Sequence, residues 1–141
     1  MGRKTTDDLR QELMDQPSIE TYLSDNRSCF MEQGILDLLE SLRERCGLPK
    51  AEIARRSGMS EVYLHQVFSG RRNPSRDRLL ALCVGMGASL EEANQLLRQA
   101  AYAQLYPRLR RDAIISHGLA HRHSLVEINE SLFMENEKTL A

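Results

Sequence analysis

The segment from Lys50 to Gly70 constrains this chain more than any other. It reads Lys-Ala-Glu-Ile-Ala-Arg-Arg-Ser-Gly-Met-Ser-Glu-Val-Tyr-Leu-His-Gln-Val-Phe-Ser-Gly. Two short helices that cross closely need a small residue where they touch and a turn residue that accepts positive φ. The second helix also needs apolar residues at helical spacing to seat it on the first. Ala54, Gly58 and then Leu64 and Val67 supply these, with Phe68 as a further anchor and Ser60 as the cap of the second helix. The outward positions of that second helix are then Glu61, Val62, His65 and Gln66, with Tyr63 near its edge.

The rest of the chain carries the same periodicity. Thr5-Thr6 followed by Asp7 and Asp8 suits the start of a first helix to about Asp15, which Pro17 ends. Ser18 caps a short second helix to about Leu23, and the polar stretch Ser24–Ser28 is expected to be loop. Ile35, Leu38, Leu39 and Leu42 form one apolar helix face, and Gly47 closes that helix. Pro49 opens the next, with Ile53 and Ala54 inward. After the turn Arg71-Arg72-Asn73-Pro74, Ser75 caps a helix bearing Leu79, Leu80, Leu82 and Cys83. Ser89 with Glu92 forms a capping box for the helix carrying Leu90, Ala93, Leu96, Leu97 and Ala100. Beyond Pro107 a further helix is expected from about Asp112, and Ser124 with Glu127 caps the last.

The second half repeats itself. At a constant offset of 35, Arg76, Asp77, Ser89, Leu90, Glu92, Asn94 and Leu97 recur as Arg111, Asp112, Ser124, Leu125, Glu127, Asn129 and Leu132. Two copies of one helical hairpin account for this, and so does chance combined with shared capping chemistry. Two copies are too few for a solenoid.

Charge is spread unevenly although the formal net charge is only −1. Residues 1–42 carry nine acidic and four basic side chains, residues 43–78 nine basic and four acidic, and residues 124–141 four acidic and one basic. Screening acts within about 10 Å, so the local excess of cations decides whether a segment attracts phosphate. The opposite charges make the acidic N-terminal extension a candidate cover for the basic segment. Aromatic residues make up 5% and tryptophan is absent, which favours a helical core of Leu, Ile, Ala and Met over a β-sandwich.

The block Lys50–Ser60, followed by Tyr63-Leu64, Phe68-Ser69-Gly70 and Arg72-Asn73-Pro74-Ser75 running into Leu79, resembles the lambda-repressor-like (XRE/Cro-type) helix-turn-helix family. The resemblance spans about Ile35–Leu97. It implies an all-α protein whose centre is a five-helix DNA-binding domain, acting as a homodimer on a palindromic site of double-stranded DNA. Carried over by position, Glu61, Val62, His65 and Gln66 fall on the base-reading face. Lys50, Ser60, Tyr63, Ser69, Arg71, Arg72 and Asn73 fall at backbone-contacting positions. The expected division is an acidic helical extension at 1–33, the DNA-binding domain at 34–105 and a C-terminal helical hairpin at 106–141. The expected activity is a cytoplasmic transcriptional regulator. Glu61 departs from the family, which commonly has Gln, Ser, Arg or Lys near that point. A carboxylate accepts from cytosine N4 but also faces phosphates. A protein-interaction adaptor that retains the fold therefore stands as the alternative.

Other candidates are weaker. His117, His121 and His123 lie close in sequence, but no spaced third and fourth ligand accompanies them, so no metal site is expected. No phosphate loop, nucleophile elbow or carboxylate pair appears, so neither enzymatic activity nor a cofactor is expected. Cys29, Cys46 and Cys83 lack metal or disulfide spacing, and Cys46 and Cys83 are expected in the core. Arg108, Arg110 and Arg111 read either as flanking phosphate contacts or as a solvated loop running into a helix start. Leu125, Ile128 and Leu132, with Phe133 beside them, read either as packing on the preceding hairpin or as a dimer contact. No apolar run reaches the roughly 18–20 residues of a membrane span, and no secretory leader pattern opens the chain.

Overall fold

The computed structural model describes residues 4–140. Among them every regular element is helical: α1 (Thr6–Asp15), α2 (Ile19–Asp25), a 3-10 turn (Arg27–Cys29), α3 (Met31–Cys46), α4 (Lys50–Arg56), α5 (Glu61–Phe68), α6 (Arg76–Gly85), α7 (Leu90–Gln99), α8 (Arg110–Ala120) and α9 (Leu125–Met134). Hydroxyl caps set most of the starts. Thr5, Ser89 and Ser124 form full capping boxes with Asp8, Glu92 and Glu127. Ser18, Ser60 and Ser75 each accept one backbone N–H of the first turn.

Two expected boundaries move. The stretch Ser24–Ser28 is not open loop, because α2 runs on to Asp25 and the 3-10 turn follows. Asn26 explains it: its buried amide donates to the Tyr22 carbonyl at 3.0 Å and to Glu12 at 2.8 Å, and it accepts from Lys4 at 2.6 Å. Tyr22 is buried too, edge-on to Phe30. The helix expected from Asp112 begins at Arg110, because Asp112 is not a cap but a buried anchor for groups outside its own helix.

α4 packs on α5 and α6, α3 on α7 and α5, and α6 on α7. Their inward faces meet in one core that includes Leu39, Ile53, Leu64, Leu80 and Leu96. Gly85 lets α4 and α6 close up, since a Cβ there would overlap Ser57. Ala54 marked the α4–α5 contact in the sequence; nothing there marked this second close approach. Cys83 is fully buried, Cys46 is half-buried against the core and Cys29 is exposed. Burial pushes the Cys83 thiol up to about 12.

α8 and α9 form a second hairpin, and the 35-residue offset carries over into its main side-chain bonds. Arg76 donates from Nη1 and Nη2 to Asp112 at 3.3 and 3.0 Å, and from Nε to the Ala103 carbonyl at 2.9 Å. Arg111 donates to Asp77 at 3.0 and 3.0 Å, and from Nε to the Lys138 carbonyl at 2.8 Å. Asn94 accepts from the Leu105 N–H at 2.9 Å, as Asn129 does from the Leu140 N–H at 2.7 Å. Gly87 and Arg122, and again Ala101 and Asn136, share positive φ. These correspondences include residues that are not identical, so shared capping chemistry does not account for the repeat.

The copies differ where their surroundings differ. α4 covers α6 and α3 covers α7, and there Leu82, Met86, Ala88 and Leu96 are buried. The equivalent positions of the second hairpin are His117, His121, His123 and Ser131, which reach solvent. The three imidazoles cluster, with ring centroids 4.1, 5.6 and 6.0 Å apart, because they replace three core residues on one uncovered face. Of the apolar run on α9, Ile128 and Leu132 are buried and Leu125 packs against the core, while Phe133 points outward and is 74% exposed.

Gly118 and Ile128 touch so closely that a Cβ at Gly118 would overlap the isoleucine. The first hairpin has Cys83 and Ala93 at these places, moving the bulk to the other helix. Gly118→Ala is expected to destabilise the protein by about 1–3 kcal/mol through overpacking. In a double-mutant cycle read by urea denaturation, adding Ile128→Ala should recover part of that loss. Strictly additive losses would contradict this packing.

Candidate nucleic-acid interface

Gly58 takes φ +65° at the bend between α4 and α5, as a turn of this kind requires. Leu64 and Val67 are buried beneath α5, while Ile53 and Ala54 are buried on α4. The opposite side of α5 faces solvent: Glu61 and His65 are exposed, and Val62 is 68% exposed. The N-terminal extension leaves it open, because α1 packs on α2 and the 3-10 turn packs on α3.

Lys50, the first residue of α4, sits with Nζ 5.6 Å from the centroid of the Phe68 ring at the far end of α5. Between them lies a hollow of about 520 Å³, lined by Lys50, Val62, His65, Gln66, Phe68, Ser69 and Arg71. Ser69, Arg71, Arg72 and Asn73 are all exposed on the loop that leaves α5. The backbone of this loop is set by one carbonyl. Gln66 O accepts from Ser69 Oγ at 3.1 Å and from the N–H groups of Arg71 and Arg72 at 2.9 and 3.2 Å. The loop's guanidinium in turn reaches the helix, as Arg72 Nε donates to Gln66 Oε1 at 3.1 Å. That bond occupies the amide oxygen of Gln66 and leaves its NH₂ donor available.

Two expected backbone-contacting residues are engaged within the protein. Ser60 Oγ accepts from the Tyr63 N–H at 3.1 Å as the cap of α5. Tyr63 is half-buried, with Arg78 4.6 Å and Arg72 5.8 Å from its ring centroid. Arg78, on α6, escaped the sequence reading: it lies 15 positions beyond Tyr63 and only the packing of α6 brings it there. Arg55 and Arg56 also belong to the basic segment, but both bond to Glu52 on their own helix. The sequence signal was there, since a Glu three and four residues before two arginines pairs with them on a helix. Among the described residues, the positive side chains beside α5 that form no ion pair are therefore Lys50, Arg71, Arg72 and Arg78.

A family model described as a helix-turn-helix domain matches residues 36–96. No curated protein and no solved structure matches the chain.

The bonds from Arg55 and Arg56 hold the Glu52 carboxyl down at about 2, against an ordinary 4.5. A carboxylate lowered on folding adds stability above its unfolded range, and that contribution fades as the pH falls through the folded value. The difference in thermal midpoint between the wild type and Glu52→Gln should be largest above pH 4.5 and close as pH approaches 2. A difference independent of pH would mean that these bonds do not form in solution.

Proposed function

We propose that the helix-turn-helix domain binds double-stranded DNA, with α5 in the major groove, and that the chain is a transcriptional regulator of the lambda-repressor-like class. The observation that carries this reading is the uncovered polar side of α5, framed by Lys50 at one edge and by Arg71 and Arg72 on the loop that leaves the helix. A helix of this diameter fits the major groove, and its outward residues meet base edges. Base reading falls to Glu61, Val62, His65 and Gln66. Glu61 suits the amino group of cytosine, Val62 a thymine methyl, and the free Gln66 NH₂ an acceptor edge. Lys50, Ser69, Arg71, Arg72 and Asn73 serve the phosphates, which supply affinity and register rather than sequence. Tyr63 contributes through its ring, holding Arg72 and Arg78 toward the same strand, and Ser60 through the helix start that it caps. In this reading residues 34–105 are the DNA-binding unit, 1–33 and 106–141 are appendages, and two copies act on a two-fold site in the cytoplasm.

A second reading has one observation in its favour: an exposed carboxylate, Glu61, in the first turn of the reading helix. Among phosphates it opposes binding, whereas a basic protein surface would accept it. The adaptor reading follows from that choice of partner.

A salt titration of duplex binding separates the two. DNA binding through this face should weaken steeply with salt, and Arg71→Ala, Arg72→Ala or Lys50→Ala should each lower the salt slope by about 1 and weaken all sequences alike. His65→Ala and Gln66→Ala should cost about 1–3 kcal/mol on a preferred site and change the sequence preference. No saturable binding at low salt would leave the adaptor reading.

A further inference from the structure

The two hairpins meet reciprocally. α6 packs on α9 as α7 packs on α8, and Arg76 grips Asp112 as Arg111 grips Asp77. An interface in which i touches j and j touches i is isologous, the form in which two identical surfaces pair about a two-fold axis. Here both surfaces belong to one chain, and each carries the dipeptide Arg-Asp at its centre, Arg76-Asp77 and Arg111-Asp112. Each surface thus presents a cation beside an anion and is complementary in charge to a copy of itself.

The supporting bonds lie within each copy rather than between copies. Arg76 is steadied by the carbonyls of Ala103 and Gln104, and Arg111 by those of Lys138 and Thr139. Two first hairpins from separate chains would therefore find both paired Arg–Asp contacts, though not the longer Lys138–Asp77 contact at 4.0 Å, since Ala103 stands at the place of Lys138. Arg76 of each would meet Asp77 of the other and keep its own carbonyl bonds.

We propose that the α6–α7 face now held by the C-terminal hairpin is a self-association surface, and that displacing α8 and α9 lets two chains pair through Arg76 and Asp77. The occupant is a second copy of this chain. The segment 102–109 joins the hairpins and gives the internal copy an effective concentration on the order of millimolar, so the closed chain prevails at micromolar protein. Nothing in this pairing depends on DNA, so it stands or falls apart from the function proposed above.

The test uses the full chain in sedimentation velocity, without DNA, with circular dichroism alongside. Arg111→Asp combined with Asp112→Arg sets like charges against each other within the chain while leaving the Arg76–Asp77 pairing between chains intact. The expected result is twice the wild-type mass at micromolar concentration. Adding Asp77→Ala should return the single mass. Adding instead Arg76→Asp with Asp77→Arg restores the internal match and should do the same. A charge-reversed chain that keeps its helical signal and its single mass overturns the proposal, as does a doubled mass indifferent to Asp77→Ala. If the reversed chain loses its helical signal, the milder Arg111→Ala decides. It should dimerise at lower concentration than the wild type, and no such shift overturns the proposal.

Discussion

Arg76 and Arg111 each hold the aspartate of the opposite hairpin in a two-pronged bond, and the relation between the two halves of the molecule depends on this exchange. Asp112 is almost fully buried and gains a third bond from the Tyr106 N–H, while Arg111 and Asp77 are about four-fifths buried. A fork-to-fork guanidinium–carboxylate pair shielded from water is stronger than a solvated one and fixes direction as well as distance. The exposed pair Arg10–Asp7 makes the contrast: pairs of that kind contribute roughly 0–1 kcal/mol. Removing one partner of a buried pair costs about 3–5 kcal/mol, because the other charge stays behind unpaired. The crossed pairs thus set the register of hairpin on hairpin, and the apolar side chains around them fill the space that this register leaves.

That register reaches the helix-turn-helix unit. With the second hairpin in place, Leu125 at the start of α9 lies beside Gly58, the residue on which the α4–α5 bend turns. The C-terminal hairpin therefore backs the turn from behind without touching the open side of α5. The angle at which α5 meets its neighbours is held by Ala54, Leu64 and Val67 from within and by Leu125 from outside. The histidine cluster belongs to the same asymmetry. α3 and α4 cover the first hairpin, so its outer side is Leu, Met and Ala, and the uncovered second hairpin carries imidazoles at the same places.

Around α5, charge is organised by pairing rather than by number. Nine basic side chains lie between residues 43 and 78, yet Arg55 and Arg56 are neutralised by Glu52, Arg45 bonds to Glu92 and Arg43 to Glu40. The cations left to the surface beside α5 are few and concentrated at its two edges. Arg72 has two tasks, since its guanidinium orients Gln66 while its loop position faces outward. A side chain of α5 and a cation of the loop that follows it are thereby mechanically joined.

Much of this was legible in one dimension. Helix starts are local events: a hydroxyl cap announced them at Thr5, Ser75, Ser89 and Ser124, with a carboxylate three residues on at all but Ser75. The bend at Gly58 and the inward pair Leu64 and Val67 follow from backbone sterics and helical spacing, so the second helix of the turn and its outward face could be named in advance. The 35-residue repeat was visible as matched letters. The sequence did not contain the reason for the matches: that Arg76 and Asp77 bond to the other copy and not to each other. Nor could it tell that Arg78 flanks Tyr63, that Gly85 admits Ser57, or that Asn26 lies buried. Each of those depends on two helices arriving at one place, and capping and periodicity act over one or two turns, whereas burial and crossed ion pairs act only after distant segments have met.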